Sequence, residues 1–345
     1  MDVTRVATTK LESGDVCFAL TLRHLHPDRE LDAETVTRDG VAFVTALEGH
    51  RDARFVLQTA CFPDPRRPEY GRIAIHLIAT LAAAGQPAAD RIDELCDDLL
   101  GLLAAPPVRW SFEPVTDIDE LATVLEPFVP VQLAEVARRE EPCMPTRWVG
   151  GLGFGNDPRV RTADRTLWSM WTLGPASRDL RRLGSVLLAQ EAPVCIRVSL
   201  APSAISPEER EGIEALSMNV ADAVPVEGLL RASWHTVESL LYLRPLFDVR
   251  CVVASPEPLS PSMLSALGHA YSEPPTHGTP EPVLRGGFAV LRGGHEVDRD
   301  ILLDAYSTLS CGNPIPSLAP KGLERLRRLL GPWEAANILP NPGNG

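Results

Sequence analysis

Between Val194 and Leu200 the apolar residues fall on every second position, Val194, Ile196, Val198 and Leu200. A period of two puts them on one face of a strand, because successive side chains of an extended chain point to opposite sides. Upstream, Leu180, Leu183 and Leu187 predict an amphipathic helix, and Ala192-Pro193 opens the strand. Downstream, Ser206-Pro207-Glu208-Glu209 combines an N-cap serine, a first-turn proline and a glutamate at the capping-box position, which together start a helix. Helix, strand and capped helix in succession predict an α/β arrangement in which helices cover a sheet.

Further strands are expected at 15–25, 54–62, 72–80, 108–115, 248–255 and 286–294, with the proline-rich PDPRRPEYG as the turn between the second and third. Residues 33–47 read as a short helix or strand. In helix 88–104, Ile92, Leu95, Cys96, Leu99, Leu100 and Leu103 form one apolar stripe, while Asp93, Glu94, Asp97 and Asp98 take the solvated side. Thr116 is placed to cap a helix whose Leu121, Val124 and Leu125 face inward. Helices are also expected near 131–139, at 207–223 and 227–243, after Ser260-Pro261, and at 296–309.

VRWSFEPVTDIDELATVL and GFAVLRGGHEVDRDILLDAY each run strand, polar break, then a helix opening on acids. That is the pattern of a diverged duplication. The expected fold class is α/β (α+β): two loosely repeated strand-helix units, each a small mixed sheet covered by helices. The first domain is assigned to 1–130 and the second to 167–316. Between them, 131–166 reads as a linker or ordered loop, with Pro142, Pro145 and a glycine-rich run from Gly150 to Gly155. Residues 317–345 read as a C-terminal connector helix and tail.

Local motifs for chemistry are few. His24 and His26 share a strand face at a spacing that can chelate a metal, but no nearby ligand pair completes the set, and they also suit a strand end. GGLGFG at 150–155 lacks the spacing of a phosphate loop. His235 and Glu238 lie one turn apart with no nucleophile placed beside them. The expectation is therefore no catalytic residue, no cofactor and no metal, although a dispersed active site leaves no local signature and a hydrolase remains the alternative. A net charge of −13 and a pI near 5.1 oppose nonspecific attraction to nucleic acid or an anionic membrane. Seven scattered cysteines without a C-x-x-C pair, no apolar run of membrane-spanning length and no signal-like N-terminus predict reduced thiols and a cytoplasmic protein.

The stretch LWSMWTLGPASRDLRRLGSVLLAQEAPVCIRVSLAPSAISPEER, with 54–128, 243–274 and SLAPKGLERLRRLLGPWEAANILPNP at 317–342, resembles the region preceding the motor in ATPases of the HerA–FtsK superfamily. The likeness is greatest to relatives of conjugative type IV secretion ATPases and rests on apolar and turn patterns over roughly 54–342. It departs from that family in one respect. The only lysines, Lys10 and Lys321, do not end a Gly-x-x-x-x-Gly-Lys sequence, so no recognisable ATP site is present. The resemblance implies the part before the motor, free-standing or cut from a longer chain: a non-catalytic assembly or docking protein whose partner is a P-loop ATPase or further copies in a ring, serving conjugation, secretion or phage defence. Direct nucleic-acid binding and membrane insertion are not expected. The residues singled out for the partner surface are Trp148, Phe154, Trp168 and Trp171, as aromatic anchors, and the basic trio Arg325, Arg327 and Arg328. Packing of that last helix on its own domain is the alternative.

Overall fold

The computed structural model describes residues 6–25, 33–64, 66, 71–82, 89–104, 110–143, 147–148, 167–171, 180–224, 228–271, 288–293 and 296–338. Its first strands and helices are β1 (Thr9–Lys10), β2 (Val16–Leu25), α1 (Ala33–Leu47), β3 (Ala53–Phe62), β4 (Arg72–Leu81), α2 (Ala89–Ala104), β5 (Trp110–Pro114) and α3 (Ile118–Leu125). Then come β6 (Gln132–Arg138), β7 (Glu140–Cys143), β8 (Arg147–Trp148), β9 (Leu167–Met170), α4 (Leu180–Leu188), β10 (Val194–Ser203), α5 (Pro207–Asp222), β11 (Ala223–Val224) and α6 (Gly228–Ser239). The chain finishes with β12 (Leu246–Ser255), α7 (Pro261–Tyr271), β13 (Phe288–Arg292), α8 (Glu296–Ser307), a 3-10 turn (Glu324–Arg328), β14 (Leu329–Leu330) and α9 (Pro332–Ile338).

The class is α/β, and the duplication has a clear topology. In the first half β2-α1-β3-β4-α2-β5 lies in the order β5-β2-β4-β3; in the second, β6-α4-β10-β12-α7-β13 lies in the order β10-β12-β6-β13. Each is a βαββαβ unit of ferredoxin-like order, and the second order mirrors the first. The units join by antiparallel pairing of β3 with β10, from Val194 opposite Cys61 to Leu200 opposite Phe55. The expected pair of small mixed sheets is thus one continuous sheet, with every described pairing antiparallel.

Alternation along the strands sorts the core. Val194, Ile196, Val198 and Leu200 lie with Phe55, Leu57, Phe247 and Val249 beneath α1, α2, α4 and α7. The opposite face is covered by α3, through Leu121 and Val124 on Val56 and Ile78, and by α8, through Leu302 and Tyr306 on Cys195 and Val252. The helix starts follow the sequence closely at α5, where Ser206 N–H donates to Glu209 Oε2 (2.8 Å) and Glu209 N–H to Ser206 Oγ (3.1 Å). At α3 the cap is Asp117 rather than Thr116, accepting from the N–H groups of Asp119 and Glu120.

Two expectations are corrected. Residues 131–139, read as a short helix at the head of a linker, contain β6, which runs between β12 and β13. Glutamine, glutamate and arginine within QLAEVAR mimic a helix surface, but Glu135 and Arg138 are buried and find charged partners only in the folded chain. The C-terminal connector is not one helix either. Leu329 and Leu330 pair with Asp248 and Phe247 of β12, and Pro332, at the first turn of α9, starts a separate helix.

Candidate functional site

On the sheet face under α3 and α8, the joint between the units is polar. Gln58 and Arg197 are opposite one another across β3 and β10. Arg197 Nε donates to Gln58 Oε1 (2.8 Å) and Nη1 to the carbonyl of Tyr306 (2.6 Å), while Nη2 reaches the carbonyl of Leu125. Gln58 Nε2 donates to the carbonyl of Val124 (2.8 Å). The carbonyl ends of α3 and α8 therefore converge on one guanidinium, the charge that helix C-termini favour, and that guanidinium stacks 3.7 Å from the centre of the Tyr306 ring.

Beside it lies a buried network. Arg250 Nη2 donates to Glu135 Oε2 (3.1 Å) and Nη1 to the carbonyl of Cys311 (2.6 Å). Arg328 Nη2 donates to Asp248 Oδ2 (3.1 Å) and Nη1 to the same Cys311 carbonyl (2.5 Å). Burial pushes the Asp248 carboxyl above its usual range, against the lowering influence of Arg328, Arg325 and Arg250.

The C-terminal segment is clasped by further pairs. Arg138 binds Glu334 of α9 and donates to the carbonyl of Leu329 (2.8 Å). Arg325 makes a fork on Glu209 (2.9 and 2.7 Å) and reaches Ser203 Oγ (2.7 Å), so the α5 capping box is also an anchor. Arg327 lies 3.6 Å from Glu140, which accepts from Trp168 Nε1 (3.2 Å) and from Leu318 N–H (3.1 Å).

Three of the residues singled out for a partner surface, Trp168, Arg327 and Arg328, are buried. Arg327 and Arg328 are 2% and 3% exposed, and Arg325 is committed to Glu209; their shared work is internal. Trp168 is buried with Met170, Trp234 and Leu326. Trp171 is half-buried under Arg139, whose guanidinium lies 5.3 Å from the ring centre. Trp148 pairs through its backbone with Ala223, and Phe154 lies outside the described residues. His235 is exposed, Glu94, Asp97 and Asp98 face solvent as expected, and His26 lies outside the described residues. Among the described residues no group of three or more His, Cys, Asp and Glu side chains could hold a metal ion, and no helix is long and apolar enough to cross a membrane.

Large exposed aromatics lie elsewhere. Tyr242 is 77% and Trp333 is 41% exposed. Tyr242 follows α6, and Trp333 lies in the first turn of α9. A cleft of about 300 Å³ lies between α5 and the 320–323 turn, lined by Glu208, Leu216, Lys321 and Leu323 among others. Its closeness requires Gly212, since a Cβ there would come within 2.9 Å of Leu323 Cδ2. Sequence periodicity could not separate these exposed aromatics from core residues.

The thiols give a direct check of the interior. Cys17, Cys61 and Cys96 are pushed up to about 11 by burial, and Cys195 and Cys311 are raised by the same cause. These five and Cys251 are free and buried. At mildly alkaline pH they are expected to stay unlabelled by a disulfide reagent for as long as the fold persists and to react together in denaturant. Fast labelling of several thiols in the native protein would contradict this packing.

No protein-family model matches the sequence, and no curated protein matches it.

Proposed function

We propose that this chain is a non-catalytic docking module that works with a P-loop ATPase, the role implied by its resemblance to the pre-motor region of HerA-like and conjugative ATPases. The reading is supported by the clasped C-terminal segment. Residues 324–338 are pinned to β6, β12, α5 and Glu140 by separate ion pairs, and α9 packs on α1 of the other unit. A partner bound there meets a segment fixed to both units, on which Trp333 is exposed; Tyr242, the other large exposed aromatic, is a second candidate contact. Aromatic side chains so placed are the kind that anchor interfaces.

The first test is whether the adjoining reading frame encodes a P-loop ATPase; association of that protein with this chain is then measured by interferometry, and the absence of such a frame would count against the reading. Tyr242→Ala with Trp333→Ala is expected to weaken binding by about tenfold or more and to leave the melting midpoint nearly unchanged. Unaltered binding by the folded double variant would remove this surface from the interface. Saturable ATP binding by the isolated chain would contradict the non-catalytic assignment.

A further inference from the structure

We propose that the outer edge of β13 is a self-association surface that pairs with β13 of a second copy about a two-fold axis. The inference is independent of motor docking. At one end of the sheet β5 lies on the outer side of β2, with the two-residue β1 in line beside it; at the other end lies β13, the topological equivalent of β5, and the chain treats the two differently. At the first, Val115 N–H donates to the carbonyl of Ala19 in β2 (2.9 Å). By alternation Val115 and Glu113 turn their backbone groups toward β2, and Phe112 and Pro114 turn theirs outward. A proline in an outward position lacks the donor a further strand would need, a common way of closing an edge. Ala7 N–H also donates to the carbonyl of Val115 (2.8 Å), laying the N-terminal segment at that end.

Among the described residues the β13 edge has no such device. Gly293 N–H donates to the carbonyl of Leu133 (3.2 Å), so the backbone groups of Leu291 and Ala289 face β6. Those of Phe288, Val290 and Arg292 face outward, with no proline among them. Among the described residues β6 is the one strand beside β13.

In an antiparallel pair, a residue whose groups point across must oppose another that does the same. Against its own copy β13 meets this condition when centred on Val290: Val290 opposes Val290, and Phe288 opposes Arg292. Two-fold pairing is antiparallel by symmetry, like the sheet it would extend, and it closes after two copies. The register also keeps the two Arg292 positions from facing one another, which like charges disfavour. The chain already contains one joint of this kind, between β3 and β10.

Sedimentation velocity on the full chain across a wide concentration series is expected to show a reversible monomer–dimer equilibrium. Val290→Pro removes the central outward N–H but no ladder bond to β6, and should leave a folded monomer. Val290→Cys should give a disulfide-linked dimer on mild oxidation, since residues of a hydrogen-bonded pair are about 5.5 Å apart at Cα, within disulfide reach. A chain that is monomeric at every concentration overturns the proposal, as does a dimer that forms equally well with V290P. Should V290P fail to fold, V290C decides, and absence of the cross-link overturns it.

Discussion

Arg250→Ala is expected to lower the stability of the chain by about 3–5 kcal/mol, because it leaves the Glu135 carboxylate buried without its cation. Both residues are 1% exposed, so water cannot replace the lost partner. The carbonyl of Cys311 loses one of its two donors at the same time, though Arg328 remains on it. Equilibrium urea unfolding measures the loss. The double replacement Arg250→Met with Glu135→Leu should recover most of it, since removing both charges avoids the unpaired one. A cost below about 1 kcal/mol for the single variant would mean that water reaches the pair and that the network is not the dry one described.

Trp168→Ala is expected to cost a comparable ~3–5 kcal/mol, the range for truncating a large aromatic in a core. Its ring packs with Met170, Ile213 and Leu326, and its Nε1 donor occupies Glu140, which also holds Arg327 and Leu318. The change should therefore loosen the C-terminal clasp as well as open a cavity, visible as faster amide exchange around Leu326 and Leu329. Trp171→Ala, which removes a half-buried ring and its contact with the Arg139 guanidinium, should cost about 1 kcal/mol. Equal losses at both positions would show that the neighbouring tryptophans share one environment, contrary to their burial.

Most features with a local cause are legible in the sequence, the α3 cap at Asp117 instead of Thr116 being an exception. The alternation at 194–200 and the Ser206/Glu209 box are observed as expected, and the compared segments 108–125 and 287–306 occupy equivalent places as β5-α3 and β13-α8. Legibility failed where the deciding partner is distant. Arg328 reads as part of a partner-facing basic trio because its acceptor Asp248 is 80 positions away in the chain, and the strand around Arg138 reads as a helix because its partner Glu334 is 196 away. β6 was missed for the same reason: Glu135 and Arg138 favour a helix by composition, and only their buried ion pairs make a strand tolerable. The joining of two expected sheets into one was equally invisible, since nothing in FVLQTAC states which edge it will meet.

The joint between β3 and β10 also bears on how the chain can be made. The first unit is complete once α3 has been synthesised, because β2 to α3 needs nothing later in the sequence for its own pairing. A ribosome extending the chain then carries a nearly finished unit whose β3 edge, Phe55 to Cys61, stays open until Val194–Leu200 emerges. Strand edges left open during synthesis are where partly folded chains capture one another. Gln58 lies at the middle of that edge and is an apolar strand's one large polar side chain there, waiting for Arg197. Slow elongation through 131–193 would lengthen the exposure, so yield of native protein should depend on translation speed in that interval more than on speed anywhere after β10.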